Sequence, residues 1–151
     1  MENLDVCKLV QEFMDKQEWK YTYDEENKAL IAGFSFAGKI RRVKLFVDFN
    51  YDDCYLVTCP LPMNASEEAY TEVMRLMNRI NYSSKFGNFE MDEDDGEIRY
   101  RLAVDIDRDC ISEEIIEKSI KIPLAMVRRH SEDLIAVMMG HKTYEEVSEN
   151  I

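Results

Sequence analysis

Asp105, Asp107 and Asp109 stand at alternate positions at the end of the apolar run Ile98, Tyr100, Leu102, Val104, Ile106. Carboxylates at a strand end can hold magnesium, or one can act as a nucleophile and form an aspartyl phosphate. Asp92-Glu93-Asp94-Asp95-Gly96 is a second acidic cluster. An EF-hand with Gly96 at its sixth position would begin at Met91 and end at Leu102, and neither side chain carries an oxygen ligand. The cluster is therefore predicted to be a hairpin tip, with Asp95-Gly96 supplying the positive backbone dihedrals of the turn. His130 and His141 are too far apart to share one helical face as a metal pair, so a surface or interface role is predicted. The cysteines Cys7, Cys54, Cys59 and Cys110 form no Cys-x-x-Cys pair and are predicted to be small buried groups. Cys54 and Cys59 would face opposite sides of one strand.

The aspartate series resembles the haloacid-dehalogenase signature, but Asp109 stands where that family has threonine or valine. The parallel β-α-β framework which that motif needs is also missing from the pattern below. There is no glycine-rich phosphate loop and no nucleophile elbow. No catalytic, cofactor-binding or metal-ligating residue is assigned, and the chain is expected not to be an enzyme.

The elements that would carry any site follow from periodicity. Val6, Leu9, Val10, Phe13 and Met14 recur at helical spacing over about residues 4–17. Trp19, Tyr21 and Tyr23 then alternate as the chain turns extended. Three strands follow, carried by Leu30–Phe36, Val43–Phe49 and Tyr55–Cys59, the last ended by Pro60 and Pro62. In the second strand Phe46 interrupts the polar face, which points to exposed apolar surface. A helix is predicted over about 65–83, with Asn64 as N-cap and Glu67 completing a capping box. Its stripe includes Tyr70, Val73, Met74, Leu76, Met77 and Ile80. Phe86, Phe89 and Met91 lead into the acidic turn, and Ile98–Ile106 returns as a strand. A long helix runs from Ser112 to about Met139, with a kink or break expected near Ser119–Pro123. Thr143 and Glu146 form another capping box. The expected fold is one α+β domain over residues 1–151. It has a five-stranded antiparallel sheet with helices on one face, in the order α-β-β-β-α-β-β-α.

Composition closes off whole classes of function. The 151 residues carry 31 acids against 19 bases, a net charge of −12. That balance repels phosphate backbones and anionic membranes, so neither nucleic acid nor membrane is expected as a partner. No apolar run is long enough to span a bilayer, and the acidic start lacks a signal peptide's apolar core, so a cytoplasmic protein is expected. Nine methionines, several of them on helices, suit an adaptable binding surface. The basic pairs Arg41-Arg42, Arg75/Arg79, Arg99/Arg101 and Arg128-Arg129 are expected to pair internally in so acidic a chain.

Asn78-Arg-Ile-Asn-Tyr82, Phe86-Gly-Asn-Phe-Glu90 and Asp95-Gly-Glu-Ile-Arg-Tyr-Arg101 together resemble the YbjN family, a bacterial family labelled a sensory transduction regulator. The order of elements extends the likeness over roughly residues 4–139. The resemblance implies a fold similar to type III secretion chaperones and a homodimer that binds protein segments. It brings no catalytic residues. The leading expectation is a non-enzymatic, chaperone-like or regulatory interaction module. Its partner or dimer surface would use Tyr70, Met74 and Met77 on the second helix, or Phe46 on the sheet. The alternative is a regulatory domain that binds a small ligand between sheet and helices. A magnesium-dependent phosphatase using Asp105 and Asp107 comes last.

Overall fold

The structure, a computed structural model, describes residues 3–106 and 111–151. The elements run α1 (Asn3–Lys16), β1 (Tyr21–Asp24), β2 (Ala29–Ser35), β3 (Arg42–Asp48), β4 (Cys54–Pro60), a 3-10 turn (Glu67–Ala69), α2 (Tyr70–Ser83), β5 (Asn88–Met91), β6 (Ile98–Asp105), α3 (Glu113–Met138) and α4 (Tyr144–Ser148). All strand pairs are antiparallel, in the order β1-β2-β3-β4-β6-β5. The sheet thus has six strands where periodicity predicts five. The extra strand is β1, whose Tyr21 and Tyr23 pair with Ala32 and Leu30 of β2. Four residues are too short to read as more than extended chain, and the tight turn before β2 places Lys28 at φ 49°.

Strand alternation decides where the core sits. Leu30 and Ala32, then Val43, Leu45 and Val47, then Tyr55, Val57 and Cys59, then Tyr100, Leu102 and Val104 all point to one face and are buried. α1 covers one half of that face and α2 with α4 the other, while α3 crosses both. The helices therefore lie on one face of the sheet, as expected. The opposite face bears the alternate residues. The row Ile31, Phe46, Thr58, Arg101 crosses its middle from strand to strand.

Two local expectations are corrected. Asn64 does not cap α2; a 3-10 turn after Ser66 precedes that helix, and the Asn64 amide donates to the Asp95 carbonyl (3.2 Å). α3 does not break at Pro123. The proline is buried, and the helix continues for 26 residues because its packing across the whole sheet outweighs one missing ladder bond. Ser112 caps α3 by accepting from Ile115 N, and Thr143 caps α4 by accepting from Glu146 N.

Candidate interaction surface

The residues predicted to form a surface are not brought together. Met74 lies on the outer side of α2 and is 36% exposed, whereas Tyr70 is half-buried and packs against the core on the side of Val73 and Met77. Met77 is 5% exposed and packs in the core with Val73, Leu76 and Ile80, so it is removed from any surface. Helical spacing marks a stripe but not which edge of it turns inward. Phe46 is half-buried on the open face of the sheet, away from α2. His130 is likewise not a surface group: it is 7% exposed and its ring meets Phe89 edge-on. Burial holds its pKa below the ordinary imidazole value, helped by Arg129 and opposed by Asp133.

The chemistry-bearing motifs resolve into structure. Asp92–Gly96 is a hairpin tip. Asp92 and Asp95 carboxylates accept from the Asp94 and Glu97 backbone N–H groups at 2.9 Å, and Gly96 takes φ 79°. Among the described residues no three His, Cys, Asp or Glu side chains gather as metal ligands. Asp105 is exposed at the end of β6, while Asp107, Asp109 and Cys110 lie outside the described residues. Cys7 and Cys59 are buried; Cys54 is half-buried on the face opposite Cys59. Arg99 and Arg101 pair with Glu90 at 2.6 and 3.2 Å. Arg75 pairs with Glu145 and lies over the Tyr144 ring, and Arg79 donates to the Ser148 carbonyl. Arg128 and Arg129 depart from the expectation: among the described residues neither forms an ion pair.

A cleft that periodicity did not single out opens between β6 and the first half of α3. β5 pairs with β6 only over Ile98–Arg101, so the last four residues of β6 have β4 alone as neighbour. Leu102, Val104, Ser119 and Ile122 line a space of about 400 Å³ there. Phe86, 59% exposed, and Ile115, 38% exposed, stand at its rim. The signal in the sequence was parity: Phe86 cannot share a strand face with Phe89 and Met91. Gly87, at φ 74°, turns the chain so that Phe86 leaves the strand. A Cβ there would lie 2.5 Å from the Arg101 carbonyl oxygen. Tyr100 Oη donates to the Phe86 carbonyl, which fixes the backbone at the rim.

Asn81 completes this support. Its side chain accepts from Phe89 N at 2.8 Å and donates to Phe89 O at 3.0 Å, tying the end of α2 to β5. Asn81→Ala leaves the Phe89 N–H unpaired beside a buried side chain. It is expected to cost about 1–3 kcal/mol in urea unfolding. A loss within experimental error would show that the pair does not anchor β5.

The model of the YbjN family, described as "Putative bacterial sensory transduction regulator", matches residues 7–136. The chain belongs to the YbjN family. Its fold is similar to the crystal structure of YbjN from E. coli, described as "a putative transcription regulator". That likeness has TM-score 0.60 and 11% identity, and covers 84% of this chain and 92% of that one. It is also similar to an uncharacterized protein from Methanothermobacter thermautotrophicus, with TM-score 0.52, 14% identity, and 89% and 96% of the two chains covered. No curated protein matches the chain. At such identities the structural likenesses establish the shared fold. The three YbjN-like words of the sequence now have physical roles: Asn81, Gly87 and Tyr100 hold the cleft rim, and Gly96 closes the hairpin. Among the described residues no helix is long and apolar enough to cross a membrane.

Proposed function

We propose that this YbjN-family chain is a non-catalytic protein-interaction module of chaperone-like, regulatory character. It binds an apolar segment of a partner protein in the cleft between β6 and α3. The observation that carries this reading is the pair of exposed apolar side chains, Phe86 and Ile115, standing over a cleft floored by Leu102, Val104 and Ile122. Large apolar groups held in water by a rigid backbone favour burial by a partner. The homodimer implied by the family resemblance belongs to the same reading, as does the absence of a nucleic-acid or membrane partner.

Phe86→Asp combined with Ile115→Asp tests it, because both side chains are exposed and their loss leaves the core intact. Fluorescence enhancement of the neutral probe Nile red should fall on the order of tenfold in the variant. Chemical cross-linking in cells should lose the apolar partner contact. The solution mass of both proteins should stay at twice the 17.8 kDa chain mass. Unchanged probe binding would remove the cleft as the site; a mass of one chain for the unaltered protein would remove the dimer.

The cleft volume also falls in the range of small-molecule sites, which keeps the ligand-binding alternative alive. A saturable thermal shift with a metabolite, abolished by the same variant, would select it.

A further inference from the structure

The charge of the molecule is unevenly distributed. Between Leu30 and Val47 the chain contains no acid, yet it carries Lys39, Arg41, Arg42 and Lys44. This β2–β3 hairpin abuts the middle of α3, where Lys121, Arg128 and Arg129 are exposed. Lys121 is paired with Glu117, but Arg128 and Arg129 form no ion pair among the described residues. Of the two acids on the next turn, Glu132 accepts from Lys39 N at 3.3 Å, and Asp133, four residues beyond Arg129, forms no ion pair with it among the described residues. A protein of net charge −12 thus holds two guanidinium groups without an ion pair, among the described residues, beside a basic hairpin.

The same corner has a free strand edge. β1 pairs with β2 only as far as Tyr21↔Ala32, whereas β2 and β3 stay paired to Ser35↔Arg42. The chain before β1 turns away at Glu18, whose φ is 59°, and Trp19 packs between Phe13 and Phe34. Phe36 N donates to the Arg41 carbonyl, so Phe36 and Phe34 direct their backbone groups toward β3. By alternation, Gly33 and Ser35 direct theirs outward, where β1 has ended. A groove of about 550 Å³ runs along this edge, with Phe34, Phe36 and Leu124 as its apolar wall and Arg128 and Arg129 beside it.

We propose that this corner docks an extended acidic segment of a partner protein. The segment adds as a strand to the free edge of β2 at Gly33 and Ser35 and sets its carboxylates against Arg128 and Arg129. The geometry favours a strand over a compact anion. The apolar wall of Phe34, Phe36 and Leu124 and the outward backbone groups of β2 offer contacts that a compact anion cannot use and an extended segment can. Backbone pairing supplies affinity in this mode, and the charges select the sequence. This site is separate from the cleft at Phe86, so the two stand or fall independently.

The test is a titration of the full chain, followed by amide NMR, with acetyl-Glu-Val-Glu-Val-Glu-amide. The controls are its Lys-for-Glu counterpart and a form N-methylated at alternate residues. The overall charge of the protein favours the basic peptide, so a preference for the acidic one reports the local site. We expect shifts at the Gly33 and Ser35 amides with the acidic peptide only. Affinity should drop at least tenfold on N-methylation, and also in the Arg128→Ala/Arg129→Ala double variant, whose altered side chains are exposed. Equal binding of the basic peptide, or survival of binding after N-methylation, overturns the proposal. So does the same set of shifts with inorganic phosphate alone, which would mark a simple anion site. Dependence of the Gly33 and Ser35 signals on protein concentration without peptide would give the edge to a second copy and equally overturn it.

Discussion

Gly96→Ala is expected to lower the melting temperature by roughly 6–12 °C, the equivalent of about 3 kcal/mol in a chain of this size. Gly96 is buried, takes φ 79°, and sits where the acidic hairpin folds against the loop before α2. Its amide donates to the Asp92 carbonyl at 2.7 Å and its carbonyl accepts from Ala65 N at 2.8 Å. A left-handed backbone costs a residue with a Cβ about 1–2 kcal/mol. The added carbon also runs into the Ala65 carbonyl oxygen and meets the Ala65 C and N atoms at 3.0 and 3.1 Å. Backbone cannot swing aside as a side-chain tip can, so overpacking adds about 1–3 kcal/mol. Gly140 is the internal comparison. It has φ 71° at the end of α3 but nothing within 4 Å of its missing Cβ. Gly140→Ala therefore carries the strain alone, about 1–2 kcal/mol. Thermal unfolding of the two variants side by side decides the matter, and equal losses would show that the contact with Ala65 contributes nothing.

Gly96 was legible as a turn former because Asp-Gly between alternating strands demands positive dihedrals. That it also serves as the floor under Ala65 was not legible, since the contact joins residues 31 positions apart. The same division holds across the molecule. Strands β2, β3, β4 and β6 could be read because one face is buried and the other wet, which writes a period of two into the sequence. β1 could not, because its value lies in pairing with β2 rather than in its own four residues. On α2 the stripe was plain, but only packing against β5 and α3 shows that Met77 faces in while Met74 faces out. His130 was misplaced for the same reason: polarity suggested surface, and proximity to Phe89 decided otherwise. Both grooves sit where a strand outruns its neighbour, at β2 past β1 and at β6 past β5. Strand lengths relative to neighbours are a property of register, and register is not written in any one strand.

Stability is expected to fall steeply as pH rises above about 9, first through Cys59 and then through Tyr55. Burial pushes the Cys59 thiol from 9.0 up to about 12, and pushes the Tyr55 phenol from 10.0 up to about 12. A hydrogen bond tempers the second shift. Ser119 Oγ lies 2.9 Å from the Tyr55 hydroxyl, and a serine hydroxyl turned toward the phenolate would stabilise the ionised form. Both groups hold their proton more tightly when folded. Below the unfolded values they are protonated in both states, and their full contribution is present. Between the unfolded and folded values only the unfolded chain releases the proton, so unfolding gains with every pH increment. At about 1.4 kcal/mol per unit, Cys59 withdraws on the order of 4 kcal/mol between pH 9 and 12. Tyr55 withdraws on the order of 3 kcal/mol above pH 10. The buried phenol of Tyr100, also raised by burial, acts in the same direction. Cys59→Ala should be less stable than the unaltered protein near neutrality, because it leaves a small void under the sheet, yet lose less between pH 9 and 10, where Cys54, also raised by burial, still contributes. Its urea midpoint should therefore approach that of the unaltered protein as pH rises. Tyr55→Phe should flatten the second part of the decline. Parallel midpoint curves for Cys59→Ala and the unaltered protein would refute the assignment, because they would mean that the thiol under β4 ionises as readily folded as unfolded.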